Sequence, residues 1–292
     1  MAWPGTDPND IEQNFNARYS VPDFADSVER CRAATTVAKK RLGATENIRY
    51  GGHPLETLDW YPAAAPGAPV HLFVHGGYWR AHDKDDFGLV AAPLAAAGAH
   101  VAVVNYPLCP EVTVTDIVAS IIAAVAWVWR HAADFGAEAA DFTLSGHSAG
   151  AHLAAMALCH DWVAEGLPAR PFGAAVLISG LYELEPVLAV SVNAAEIHLT
   201  ADMVPSLSPM RFPPTDVPML LAVGGDEAPL WMRQSADFAK AARAAGGDAR
   251  YLEVPRENHF SLMEAFADAT HPLTRATVDF LFRRVALDHP MK

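Results

Sequence analysis

Cysteine is scarce in this chain. Cys31, Cys109 and Cys159 are the only three in 292 residues, far apart and odd in number. They offer neither a disulfide framework nor the paired spacing of a metal site, and they fit a reducing, cytoplasmic compartment. Positive charge is also short: 21 Lys and Arg against 34 Asp and Glu leave a net charge of −13. Nucleic acid needs a basic face, and so does an anionic membrane surface; neither partner is expected. The acidity is read as an aid to solubility. The first residues lack a basic region followed by an apolar run, so no secretory signal is expected. No apolar stretch reaches the ~18–20 residues of a membrane span. The strongest, residues 116–133, is cut by Asp116, Ser120 and Arg130 and is expected to be a helix buried against a sheet. None of the thirteen histidines stands in an H-E-x-x-H pattern, so no metal and no cofactor are expected.

What is present is apolar substance. Half of the residues are hydrophobic and 19% are charged, enough to bury a large core. The length suits a single domain over residues 1–292. Up to about Gly43 the sequence is amphipathic and helical, closed by a glycine. "NIRYGGHPLETLDWYP" predicts two strands around a Gly-Gly turn. From there short apolar runs such as "PVHLFVHG", "AHVAVVNYP", "DFTLSG", "GAAVLISG" and "PMLLAVGG" alternate with helical stretches. That order predicts an α/β fold, a mainly parallel sheet with helices on both faces. Residues 181–214 break the alternation with few strands and several prolines, and are expected to be a small cap-like insertion that roofs the site.

Two local patterns carry chemistry. Gly146-His147-Ser148-Ala149-Gly150 is a G-x-S-x-G sequence between an apolar strand and an Ala-rich helix. Small residues two before and two after the serine are needed because the chain turns so sharply there. A serine hydroxyl needs a base, and His259, after the strand "YLEV" and before the terminal helical region, occupies the base's place in the order serine, acid, histidine. The acid should follow "PMLLAVGG", where Asp226 and Glu227 are adjacent and position does not separate them. The second pattern is "FVHGGYW": Gly76 and Gly77 follow an apolar strand, where backbone N–H groups, with that of Ala149, can form an oxyanion hole.

These segments resemble the α/β-hydrolase type of kynurenine formamidase (arylformamidase), within the hormone-sensitive-lipase-like esterases. The resemblance covers most of the chain: "HGGYW" with "KDD", "GHSAGAHLAAM", "SGLYELEPV" with "SVNAAEIHLT", "AVGGDEAPLWMRQS" and "ENHF". It implies an α/β-hydrolase fold, Ser148 as nucleophile and His259 as base. Counting back from Pro229 and Arg233-Gln234-Ser235 implies Glu227 as the acid, a glutamate where the family has aspartate, with Asp226 beside it. It also implies hydrolysis of N-formyl-L-kynurenine to formate and kynurenine. A formyl group needs almost no acyl pocket, whereas the aryl group needs a flat apolar one, which Tyr78, Trp79 and Tyr182 could wall. Arg80, Lys84 and Arg211 are candidates to meet the substrate carboxylate. The alternatives are a general carboxylesterase on short acyl or aryl esters and a non-catalytic binding protein of the same fold. A small-molecule substrate is the expected partner, and a homodimer is left open.

Overall fold

The structure, a computed structural model, describes residues 8–19, 21 and 23–282. The expected N-terminal segment begins, and the terminal helical region ends, outside the described residues. In chain order the elements are α1 (Pro8–Phe15), α2 (Phe24–Leu42), β1 (Thr45–Arg49), β2 (Thr57–Tyr61), β3 (Ala68–Val74), α3 (Ala91–Ala96), β4 (His100–Val104), α4 (Val114–His131) and β5 (Ala137–His147). They continue with α5 (Ala149–Leu158), β6 (Phe172–Ile178), α6 (Val204–Leu207), β7 (Met219–Gly224), α7 (Pro229–Ala244), β8 (Ala249–Val254), α8 (Ser261–Glu264) and α9 (Pro272–Phe282).

The strands form one eight-stranded sheet in the order β1-β2-β4-β3-β5-β6-β7-β8. β1 pairs antiparallel with β2, and β2 with β4; every other pairing is parallel. The mainly parallel α/β sheet read from the alternation of runs is thus observed. Alternation of side chains within each strand feeds two cores. Val70, Leu72 and Val74 of β3 meet residues of α4, α5 and α7 on one face. Phe73 of the same strand joins α2, α3, α8 and α9 residues on the other. His71, fully buried on β3, survives there because Thr143 of β5 lies in register beside it and Ser145 two residues further along: its ring nitrogens are 2.9 and 2.7 Å from their hydroxyls.

Two helices show how local sequence sets limits. α4 starts at a capping box, in which the Thr113 hydroxyl accepts from the Asp116 N–H and the Asp116 carboxylate accepts from the Thr113 N–H. Contrary to the expectation that its polar residues cut it short, this stretch is, among the described residues, long and apolar enough to cross a membrane, yet Ile117, Ile121, Val125 and Val128 pack it into the core on the sheet. α2 ends at Gly43, whose left-handed conformation (φ 65°) closes the helix. α2 is tied down along its length. Arg30 and Ser27 bind Glu264 of α8, Arg32 binds Asp86, and Lys39 meets the buried Asp59 of β2 at 2.8 Å. Lys84 reaches the same Asp59 from the other side at 3.2 Å and is itself 2% exposed. A buried carboxylate with two ammonium groups is compensated in place. Lys39 also reaches Glu46 and Asp85, so its ammonium lies at the centre of the Glu46, Asp59, Asp85 carboxylate cluster.

Candidate active site

β5 hands over to α5 at Ser148, which takes φ 57° and ψ −122°. Side chains on the flanking glycines would not fit. A Cβ on Gly146 would collide with the Gly150 carbonyl oxygen, and one on Gly150 with the carbonyl oxygens of Val74 and His75. The G-x-S-x-G spacing is therefore a packing requirement of this turn. It pushes the Ser148 hydroxyl towards His259, on the loop between β8 and α8: His259 Nε2 is 3.0 Å from Ser148 Oγ.

His259 Nδ1 is 2.8 Å from Glu227 Oε2. Glu227 follows β7 and is 7% exposed. Its other oxygen accepts from the Gly224 N–H at 2.7 Å and from the Ser179 hydroxyl at 2.5 Å. Asp226 has an exposed side chain, and its N–H donates outward to the Glu257 carbonyl. Of the two adjacent acids, the structure brings Glu227 to the imidazole and leaves Asp226 in solvent. With the carboxylate accepting from Nδ1–H, Nε2 has its lone pair free for the serine proton, the arrangement general-base chemistry requires.

His259 is fixed from two more sides. The edge of Trp231 lies against it, centroids 4.6 Å apart at 70°. His147, inside the elbow itself, donates from Nε2 to the His259 carbonyl at 2.9 Å. Burial, then the neighbouring His259, pushes the His147 pKa well below the ordinary histidine range, so His147 stays a neutral donor. Neither contact is visible in the spacing of the sequence.

The glycine loop lies where expected. A Cβ on Gly76 would stand 2.9 Å from the His147 carbonyl oxygen and 3.1 Å from Ser148 Cβ, so only a glycine lets this backbone come so close to the elbow. Gly77 has φ 119°, and Tyr78 and Trp79 follow at 54° and 57°. Three successive left-handed residues, two of them bulky, are strained backbone. None of the N–H groups of Gly76, Gly77 and Ala149 has a hydrogen-bond partner among the described residues. The loop is braced from behind by His75, whose ring stacks on Tyr106 at 4.2 Å, while the Tyr106 hydroxyl donates to the His75 carbonyl at 2.8 Å.

Of the three rings expected to wall the pocket, only Tyr78 lines it. Trp79 is fully buried, with Nε1–H donating to His152 Nδ1 at 3.2 Å, and His152 donates in turn to the Leu207 carbonyl at 2.7 Å. It anchors the glycine loop to α5 and α6. Tyr182 is buried and stacked on Phe238 at 4.3 Å, away from the cavity. The apolar wall comes instead from Trp231, Phe260 and Met263. The roof also differs from expectation. From residues 181–214 only Val192 lines the pocket, whereas Asn16, Ala17, Arg18, Ser27, Val28 and Cys31 close it from the N-terminal side. Residues 181–214 fold against the body: Gln234 of α7 accepts from the N–H groups of Tyr182 and Glu183 and donates to the Glu183 carbonyl. Of the three cations considered for a substrate carboxylate, Arg80 lines the pocket. Lys84 is committed to Asp59, and Arg211 makes a two-pronged bond to Glu183.

The chain is similar to known proteins over most of its length. The BD-FAE family matches residues 58–164. A kynurenine formamidase of Danio rerio is 30% identical over 287 residues, covering 94% of this chain and 96% of that protein. One from Drosophila melanogaster is 29% identical, covering 88% and 92%. Among solved structures, a Silicibacter protein described provisionally as a thioesterase superposes with a TM-score of 0.78 at 28% identity, covering 91% of this chain and 97% of that one.

Proposed function

The chain belongs to the kynurenine formamidase family of α/β-hydrolase enzymes, and from that premise we propose that it hydrolyses N-formyl-L-kynurenine or a closely related aryl formamide. Ser148 Oγ attacks the formyl carbon while His259 Nε2 takes its proton. The oxyanion is received by the N–H groups of Gly76, Gly77 and Ala149 at the start of α5. His259, held by Glu227, gives the proton to the aniline nitrogen as the C–N bond breaks and kynurenine leaves. Water then attacks the formyl-serine with His259 as base, and formate departs. The observation that carries the proposal is the hydrogen-bonded line Glu227–His259–Ser148 in a chain aligned with formamidases over almost its whole length. Three unpaired thiols suit the cytoplasm in which such an enzyme would work.

The same machinery cleaves activated esters, and the likeness to a protein described as a thioesterase keeps a short-chain carboxylesterase as the second reading. Comparing kcat/KM for N-formyl-L-kynurenine and an aryl acetate separates them. Turnover of the formamide, abolished in Ser148→Ala, supports the formamidase. Acetate hydrolysis without formamide turnover replaces it with the esterase.

A further inference from the structure

The chain turns sharply between Gly77 and His82. The Gly77 carbonyl accepts from the Arg80 and Ala81 N–H groups at 3.1 and 3.0 Å. Tyr78, Trp79 and His82 all take positive φ in this turn, His82 at 74°. L-residues resist that conformation, so a turn holding three of them needs support from its surroundings. Trp79 is pinned in the middle of the turn through His152. His82 is pinned at its end. A Cβ on Gly77 would stand 3.0 Å from His82 Cδ2, so the imidazole lies directly against the Gly77 backbone.

That ring is held in its turn. His82 Nδ1 is 2.9 Å from Asp86 Oδ2. Arg32 of α2 takes the other oxygen of Asp86, donating from Nη2 at 2.7 Å and from Nε at 2.9 Å. Burial works to raise the Asp86 pKa, but the bonds from His82 and Arg32 outweigh it and hold the carboxyl below the ordinary aspartate value. An ionised Asp86 only accepts, so His82 Nδ1 carries the proton in their bond. Phe87 meets the His82 ring edge-on at 89°, centroids 5.8 Å apart, and stacks on His75 at 5.7 Å. His82 lines the cavity, yet the serine mechanism gives it no step. The line Arg32–Asp86–His82 therefore runs from a half-exposed arginine on α2 to the backbone of the glycine loop.

We propose that His82, gripped by Asp86 and Arg32, is a positioning residue that holds the Gly77 N–H where the oxyanion forms and so ties α2 to catalysis. The inference rests on the proposed serine mechanism but not on the acyl group being formyl. An oxyanion donor acts mainly once charge has developed on the carbonyl oxygen, so loosening it should lower kcat and spare KM. The test reads kcat and KM on N-formyl-L-kynurenine and on an aryl acetate, with the affinity for an arylboronic acid, a mimic of the tetrahedral state. His82→Ala should lower kcat and boronate affinity together by about tenfold, with KM changed less than about twofold. His82→Asn keeps an N–H donor close to the place of Nδ1 and tolerates a positive φ, and should recover most of the loss. Arg32→Gln acts from α2, outside the cavity wall, and should lower kcat in the same sense by about threefold; it carries the test if His82→Ala does not fold. A rise in KM with kcat intact would make His82 a substrate contact and overturn the proposal. So would full kcat in both His82→Ala and Arg32→Gln, or a loss in His82→Ala that His82→Asn does not recover. If the formamide is inert while the acetate shows the expected pattern, the positioning role stands and the formamidase proposal falls. If the formamide is turned over and the variants keep their kcat, the reverse holds.

Discussion

Glu227 takes three hydrogen bonds within a buried loop, from His259, Ser179 and Gly224, while its neighbour Asp226 faces solvent. The two substitutions should therefore differ by orders of magnitude. Glu227→Gln is expected to lower kcat by ~10²–10⁴, the range for losing the group that orients a catalytic imidazole. Asp226→Asn should stay within about twofold by steady-state kinetics, and a larger loss in Asp226→Asn would reverse the assignment. At this scale the serine and histidine were legible because each lies in a short local pattern whose spacing has a steric cause. The acid was not separable by position, since two adjacent loop carboxylates differ only in which way the chain twists. The resemblance, not the spacing, pointed to Glu227. The aromatic rings failed for a related reason. Trp79 and Tyr182 have the right chemistry for a wall, but their neighbours His152 and Phe238 lie far along the chain and turn them into the core.

Among the elements, the glycine loop and α2 set the site most directly. Gly77 has a positive φ, and a Cβ there would collide with the Ala81 carbonyl oxygen. Gly77→Ala should therefore displace the N–H groups proposed for the oxyanion and lower kcat by ~10²–10³, with KM changed less, measurable on any substrate the wild type cleaves. α2 contributes Ser27, Val28 and Cys31 to the pocket and is held from α8 by Glu264. Glu264→Gln keeps the size but removes the charge, and is expected to raise hydrogen exchange along α2 and to raise KM while leaving far-UV signal intact. Unchanged exchange in α2 would show that this tie is dispensable. Strands and helices were legible as elements because period-2 and period-3.6 patterns are local. The job of the N-terminal segment was not. An amphipathic face says that something covers it, but Ser27 and Glu264 are 237 positions apart, and no local pattern encodes that meeting.

At the scale of the whole molecule, buried histidines are expected to lower stability on acidification. Burial pushes His71 down to about 3 and His152 down to about 4, against an ordinary value of about 6.5. As pH falls below that ordinary value, the unfolded chain binds protons at both residues while the folded protein keeps them neutral. The unfolded state then holds more protons, so stability declines on acidification, by up to ~1.4 kcal/mol per pH unit for each residue until its folded value is reached. Urea unfolding at pH 7, 6 and 5 should show stability falling well above the carboxylate range. His71→Gln should flatten that slope, and a flat wild-type profile between pH 6.5 and 5 would contradict it. The mainly parallel sheet was readable from the order of runs, but the acid sensitivity expected at His71 was not, because it depends on how completely the assembled sheet and its covering helices bury that ring.

The pocket joins segments far apart in the chain: residues near position 18 close over a histidine at position 259. During synthesis, the serine and its elbow emerge more than a hundred residues before the imidazole that would activate them. A ribosome-bound chain therefore carries a serine without its base until the segment bearing His259 has been made and folded. Hydrolytic competence arrives late and all at once, so a nascent or truncated chain meets the cell's esters and amides as an inert protein.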